Sequence, residues 1–136
     1  MEQKNPDRVI YTRHKDYLKA SYVENFAFVH RNDSEDIVRH RLDMQGGESV
    51  KLLLEFPDPR RFSIGAHLYL ASSEAREGIE MCAIVTKSKW EYFAARFATA
   101  VANTGYPVAV FKSEEDAIEW LTGNPKPVGI SYPAAL

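Results

Sequence analysis

The sequence predicts a single α/β domain, built as a mixed sheet of about five strands with four helices. Three continuous apolar runs, at 49–56, 80–86 and 106–112, each precede a segment with helical periodicity. This alternation is typical of parallel strands joined by helices, because strands covered on both faces are apolar throughout. An N-terminal hairpin supplies the remaining strands, and a chain of 136 residues suits one domain with one core.

The hairpin is predicted from two alternating segments, 8–14 and 17–24, which carry β-branched and aromatic side chains. Lys15 and Asp16 form the turn between them, so the two strands should pair antiparallel with one face in solvent. Residues 1–7 are polar and are predicted to be a flexible N-terminus.

The first helix is predicted over residues 31–45. Short polar side chains just before and within its first turn can cap the free N–H groups there, and Gly46 and Gly47 end it. Its apolar stripe is narrow and consists of Ile37, Val38 and Leu42.

This helix also carries the densest basic segment of the chain, the run from Arg39 to Arg41 together with Arg31. Such a run usually forms a solvated face. The net charge of −2 and the pI of about 6.1 do not favour a nucleic-acid partner.

The apolar run 49–56 is predicted to be a buried strand, followed after a Pro-rich turn by one helix over 63–78. The apolar part of that helix consists of Ala66, Leu68, Tyr69 and Leu70. The next strand, 80–86, contains Cys82, the single cysteine, which should behave as a small buried hydrophobe and not as a nucleophile.

The strongest helical pattern begins at Ser88, where Ser88 and Glu91 form a capping box, and ends at Gly105. The strand at 106–112 follows. The apolar side chains that recur at helical spacing on one face are Trp90, Phe93, Ala94, Phe97, Ala98 and Val101.

The last helix begins in an acidic cluster, Glu114 to Asp116, directly after Ser113. Ser113 is a suitable N-cap, and negative charge in a first turn is favoured by the helix dipole, so helix initiation accounts for every acid. A metal-binding or catalytic role for the cluster is the less favoured alternative. The domain is placed at 8–123, and residues 124–136, with three prolines, are predicted to be an extended C-terminal tail.

The segment "YPVAVFKSEEDAIEWL" resembles the end of the SpoIIAA-like (STAS/Sec14-like) family of small bacterial proteins. Members of that family often end in an apolar strand, a phenylalanine, a few acids and an amphipathic helix with Trp-Leu. The matching positions are Phe111, Glu114 to Asp116, Ala117, Ile118, Trp120 and Leu121. The resemblance covers most of residues 49–122 and implies a SpoIIAA-like fold.

The resemblance also draws attention to Ser63. In the anti-anti-sigma relatives, a serine at the start of the helix after the third strand is phosphorylated, which controls binding to a partner kinase. The matching position is Ser63, with Arg60, Arg61 and Gly65 close by. The relatives have an acidic residue directly before the serine, whereas this chain has Phe62 at that position. Ser63 is therefore interpreted first as an N-cap and second as a candidate phosphorylation or partner-binding site.

No catalytic constellation is recognised in the sequence. The four histidines, His14, His30, His40 and His67, have no metal-ligand spacing, and no phosphate loop or nucleophile elbow occurs. We therefore expect no enzymatic activity, no cofactor and no metal. The lack of an apolar segment of membrane-spanning length and of a secretion signal predicts a bacterial cytoplasmic protein without membrane insertion.

Two functions remain as expectations. The first is a non-enzymatic regulatory module that binds a protein partner through the loop and helix start around Ser63 and is expected to form a homodimer. The alternative is a small carrier for an apolar, lipid-like ligand, a role that the resemblance to Sec14-like proteins also implies. The aromatic pocket predicted for that carrier consists of Tyr69, Trp90, Phe93, Phe97 and Trp120.

Overall fold

The computed structural model describes residues 8–89, 91–93, 95–96, 105–123 and 130–131. Within them, one sheet has its strands in the order β1-β2-β3-β4-β5-β6. The strands are β1 (Val9–Arg13), β2 (Leu18–Tyr22), β3 (Val50–Glu55), β4 (Ile79–Val85), β5 (Val108–Phe111) and β6 (Ile130–Ser131).

The pairing confirms the predicted mixed sheet. The hairpin β1–β2 is antiparallel, and the pairs β2–β3, β3–β4 and β4–β5 are all parallel. The short strand β6 pairs antiparallel with β5 and adds an edge that the sequence did not predict. The predicted flexible N-terminus, 1–7, and the rest of the predicted tail lie outside the described residues.

Within the described part of the chain, four helices whose full length is described connect or follow these strands, together with a 3-10 turn at Pro59–Arg61. Residues 89, 91–93 and 95–96 are also helical. The four helices are α1 (Arg31–Gln45), α2 (Ile64–Leu70), α3 (Ser73–Arg76) and α4 (Glu114–Thr122).

Helix α1 has the predicted bounds because both of its ends are capped. The backbone N–H of His30 donates to the Asp33 carboxylate, at 2.9 Å, and Gly46 ends the helix in the left-handed conformation, with φ of 60°.

The single helix predicted over 63–78 is two helices, α2 and α3. Ser72 takes an extended conformation between them, and its hydroxyl accepts a hydrogen bond from the backbone N–H of Ala75. A serine that caps a new helix in this way competes with continuation of the old one.

The sheet is covered on both faces, which explains its continuous apolar runs. On one face, Leu52 and Ile84 belong to a buried cluster that also contains Ile37 of α1 and Ala66 of α2. On the other face, Leu53 and Ala83 pack against Leu121 of α4. Successive residues of β3 and β4 therefore point to opposite layers of the core.

Candidate functional site

A cavity of about 270 Å³ lies between the sheet and helices α1 and α2. Its walls are mainly apolar. The side chains around it are small at Ala20, Ala75 and Cys82, where larger residues would fill the space. The other walls come from Tyr11, Tyr22, Ile37, Val38, Leu52, Leu54, Leu70, Ile79 and Ile84.

The cavity reaches the surface at the carboxyl ends of the parallel strands. Phe56 and Pro57, just after β3, line it there, and Pro59 and His67 are its exposed lining residues. The His67 ring lies 3.1 Å through Nε2 from the Pro59 carbonyl oxygen, so these two residues form one rim. Open α/β sheets commonly place ligands at this end of the strands.

Arg41 lies at the other end of the cavity and is only 3% exposed. Its Nη2 donates to the carbonyl oxygens of Ala75, at 3.0 Å, and Glu77, at 3.1 Å, just before β4 begins. Its Nη1 is buried and has no hydrogen-bond partner among the described residues. The prediction of a solvated basic run holds for Arg39, which pairs with Asp36, but is wrong for Arg41.

The polar groups around Arg41 are neutral at physiological pH. Burial raises the pKa of the Cys82 thiol to about 12, and it raises the pKa values of Tyr11 and Tyr106 above their ordinary range. The Tyr11 hydroxyl already donates to the Ile37 carbonyl oxygen at 3.0 Å. Burial lowers the pKa of Arg41, but an arginine stays protonated in proteins, so the inner end of the cavity carries one positive charge.

Cys82 is buried in β4, as predicted, and lines the cavity. A thiol with its pKa raised to about 12 is almost entirely protonated at neutral pH, so it contributes an apolar wall and not a nucleophile.

The predicted aromatic pocket is not brought together by the described residues. Tyr69 is buried beside Val38, Phe93 is 66% exposed, and Trp120 lies in the core on the far face of the sheet. None of the three lines the cavity. Trp90 and Phe97 lie outside the residues whose side chains are described, as do Ala94, Ala98 and Val101.

The cavity draws its aromatic walls from other parts of the chain. Tyr11 and Tyr22 come from the hairpin, and Phe56 and Phe62 flank the turn after β3. Period-two alternation in the hairpin places Tyr11 and Ala20 on the core face, a signal that was present in the sequence. Arg41 also had a signal, because it follows Ile37 and Val38 by four and three residues and so shares their helix face.

Ser63 lies in the turn between the two rim residues and is an N-cap, as predicted. Its hydroxyl accepts from the Ala66 backbone N–H at 3.0 Å. Arg60 forms two side-chain hydrogen bonds with Asp58, which lowers the pKa of that carboxyl.

The other two candidate residues near Ser63, Arg61 and Gly65, contact other parts of the chain. Arg61 donates through Nη1 to the Phe26 carbonyl oxygen at 2.7 Å, and its guanidinium lies over the Phe26 ring. Gly65 allows α2 to approach α1, since a Cβ there would lie 3.4 Å from the Cβ of Arg31. A phosphate on Ser63 would therefore compete with existing partners for both arginines.

The acidic cluster of α4 begins the helix, as predicted. Ser113 accepts from the Asp116 backbone N–H at 3.2 Å, and Glu114 accepts both of its hydrogen bonds, at 2.9 and 3.1 Å, from Lys19 of β2. Across the part of the chain that is described, no three His, Cys, Asp or Glu side chains are grouped in a way that could hold a metal ion.

Comparison with known proteins identifies the family of the chain and a solved structure of similar fold. Residues 11–124 match the model of DUF7793, which is described as a domain of unknown function. The fold is similar to that of an uncharacterized DUF3478-family protein from Shewanella loihica PV-4, whose crystal structure has a SpoIIAA-like fold.

That likeness has a TM-score of 0.60 at 19% sequence identity and covers 83% of this chain and 91% of the other. It confirms the predicted SpoIIAA-like fold and, at this identity, shows the fold alone. No protein among the curated ones matches the chain. Among the described helices, none combines the length and the apolar character needed to cross a membrane.

Proposed function

The chain belongs to the DUF7793 family of unknown function, and we propose that it is a non-enzymatic module that holds a small apolar ligand in the cavity between its sheet and helices α1 and α2. The observation that carries the proposal is the volume of the cavity. Protein cores are close-packed and contain few voids larger than a water molecule. An apolar cavity of about 150 Å³ is enough to bind benzene, whereas this one measures about 270 Å³.

The lining chemistry supports binding over catalysis. No carboxylate is among the described side chains that line the cavity, and the Cys82 thiol is protonated at neutral pH. A nucleophile whose pKa is not lowered is activated by a base within hydrogen-bonding reach or by a metal ion. The ring of His67, which could be such a base, lies at the rim against the Pro59 carbonyl oxygen.

A matched pair of substitutions on β4 tests this proposal. Cys82→Leu enlarges a side chain on the face of the sheet that lines the cavity. Ala83→Leu enlarges the neighbouring side chain, which lies on the opposite face and packs against α4. We expect Cys82→Leu to weaken binding of 1-octanol at least about tenfold while leaving the free energy of unfolding unchanged or higher. We expect Ala83→Leu to bind 1-octanol normally but to lose about 1–3 kcal/mol of stability through overpacking.

Binding is followed by NMR titration and stability by urea unfolding. If the wild-type protein fails to bind 1-octanol, or if Cys82→Leu binds it as tightly as the wild type, the cavity is not an apolar ligand site.

A second candidate function is favoured by the outer face of α2. Ile64 and Leu68 are 79% and 66% exposed, and their spacing of four residues places them side by side next to the Ser63 cap. Leu68 was expected in the apolar part of its helix, but the side chain points to solvent. We propose that this pair is the contact between two copies of the chain, since adjacent exposed aliphatic side chains are suited to a symmetric interface.

Self-association is tested by sedimentation velocity over a concentration series. We expect the wild-type protein to dimerise and Leu68→Asp to shift the equilibrium to the monomer, because a charge in an apolar interface is desolvated without a partner. Phe93→Asp is the matched control, because Phe93 is also 66% exposed and lies on another segment. A wild-type monomer at every concentration would contradict this second function.

A further inference from the structure

We infer that the ligand of the cavity is an apolar monocarboxylate whose carboxylate binds the guanidinium of Arg41. This inference rests on the proposed function of the cavity as an apolar ligand site and names the chemical class of the ligand. Arg41 lines the cavity and is only 3% exposed, and its buried Nη1 is a donor that finds no acceptor among the described residues.

The buried positive charge of Arg41 would be stabilised by an anion bound in the cavity. A buried charge is costly unless it is paired, and a guanidinium has no neutral form to adopt at physiological pH. Arg41 forms no ion pair with any described carboxylate, and its two hydrogen bonds go to backbone carbonyl oxygens. The thiol and phenols around it are protonated, so the protein supplies no described negative charge there.

The headgroup should carry a single charge. Arg41 is the one permanently charged side chain among the described residues that line the cavity. A second negative charge on the ligand would be buried without a counter-charge. A carboxylate oxygen is also a strong acceptor for a guanidinium N–H, and hydrogen bonds of this kind are roughly twice as strong as those between neutral groups.

The dimensions of the cavity set the size of the apolar part. The Cys82 thiol is close enough to Arg41 to interact with it electrostatically, and Leu52 is the register partner of Cys82 on β3. Phe56 at the mouth follows Leu52 by four residues, roughly 13 Å along an extended strand. The volume of about 270 Å³ holds about nine non-hydrogen atoms at roughly 30 Å³ each. Octanoate has about this length and volume, with the carboxylate inward and the chain end toward Pro59.

The test compares three probes of one chain length: octanoate, 1-octanol and octylamine. NMR titration of the wild-type protein is expected to show octanoate binding at least about tenfold more tightly than 1-octanol, and octylamine binding most weakly. Arg41→Met, which keeps the side-chain volume but removes the charge, is expected to abolish the preference for octanoate. Arg39→Met is the matched control, because Arg39 is on the same helix with its side chain in solvent.

The wild-type comparison stands without any variant, so loss of folding in Arg41→Met does not remove the test. As a second measurement, side-chain ¹⁵N signals of arginine should show one guanidinium shifting on addition of octanoate and not of 1-octanol. If 1-octanol binds as tightly as octanoate, water alone satisfies Arg41 and the carboxylate inference is overturned while the apolar ligand site stands. If none of the three probes binds, both the inference and the proposed function are overturned.

Discussion

Leu53→Ala is expected to lower the free energy of unfolding by about 3–5 kcal/mol, whereas Leu54→Ala is expected to cost only about 1–2 kcal/mol. The two leucines are neighbours on β3 but point to opposite faces of the sheet. Leu53 is fully buried and packs against Ala83, Ala109 and helix α4. Leu54 lines the cavity and is half-buried, so its side chain already lacks neighbours on one side and loses fewer contacts.

Urea unfolding followed by tryptophan fluorescence measures both free energies, provided that the slope with urea stays the same in each variant. Each variant is the control for the other, because both replace leucine by alanine on the same strand. Equal losses of stability in the two variants would contradict a cavity on the Leu54 side of the sheet.

The fold was largely predictable because local signals agree with the tertiary structure. Helix α1 ends where Gly46 adopts a left-handed conformation, and α4 begins where Ser113 caps it. The apolar run that forms β3 has no polar position among its central residues, and both of its neighbours are parallel strands. Each of these features depends on a few adjacent residues, so a single sequence contains it.

The missed features depend on residues far apart in the sequence. The short strand β6 exists by pairing with β5, and two residues carry too little periodicity to predict a strand. The separation of α2 from α3 depends on the competition of the Ser72 hydroxyl with the helix for the Ala75 N–H. A helix pattern across 63–78 does not reveal which of the two arrangements has the lower free energy.

The candidate site was harder to predict than the fold, because a cavity forms where the facing side chains are too small to fill the space between the elements. Ala20, Ala75 and Cys82 come from three separate elements, and only the fold shows that small residues face one another. Aromatic residues at helical spacing suggested a pocket elsewhere, but Phe93 points to solvent. Arg41 was assigned to a solvated run by composition, although its helix position shared the apolar face of Ile37.

Trp120→Ala is expected to destabilise the protein by about 3–5 kcal/mol, and Trp120→Phe by less than about 2 kcal/mol. The indole ring is buried against Phe111, with ring centroids 5.8 Å apart, and belongs to the core between the sheet and α4. Phenylalanine keeps most of this apolar contact. It also removes the indole Nε1–H, which is buried and has no acceptor among the described residues, so no described hydrogen bond is lost.

The same two variants separate the core from the ligand site. Trp120 lies on the opposite face of the sheet from the cavity, so the affinity of folded Trp120→Phe for octanoate should stay within about twofold of the wild-type value. Distant sites without shared partners normally act independently. NMR titration below the unfolding temperature of each variant measures this affinity. A tenfold loss in Trp120→Phe, at unchanged stability, would place the indole in the ligand site, where the aromatic pattern of the sequence first suggested it.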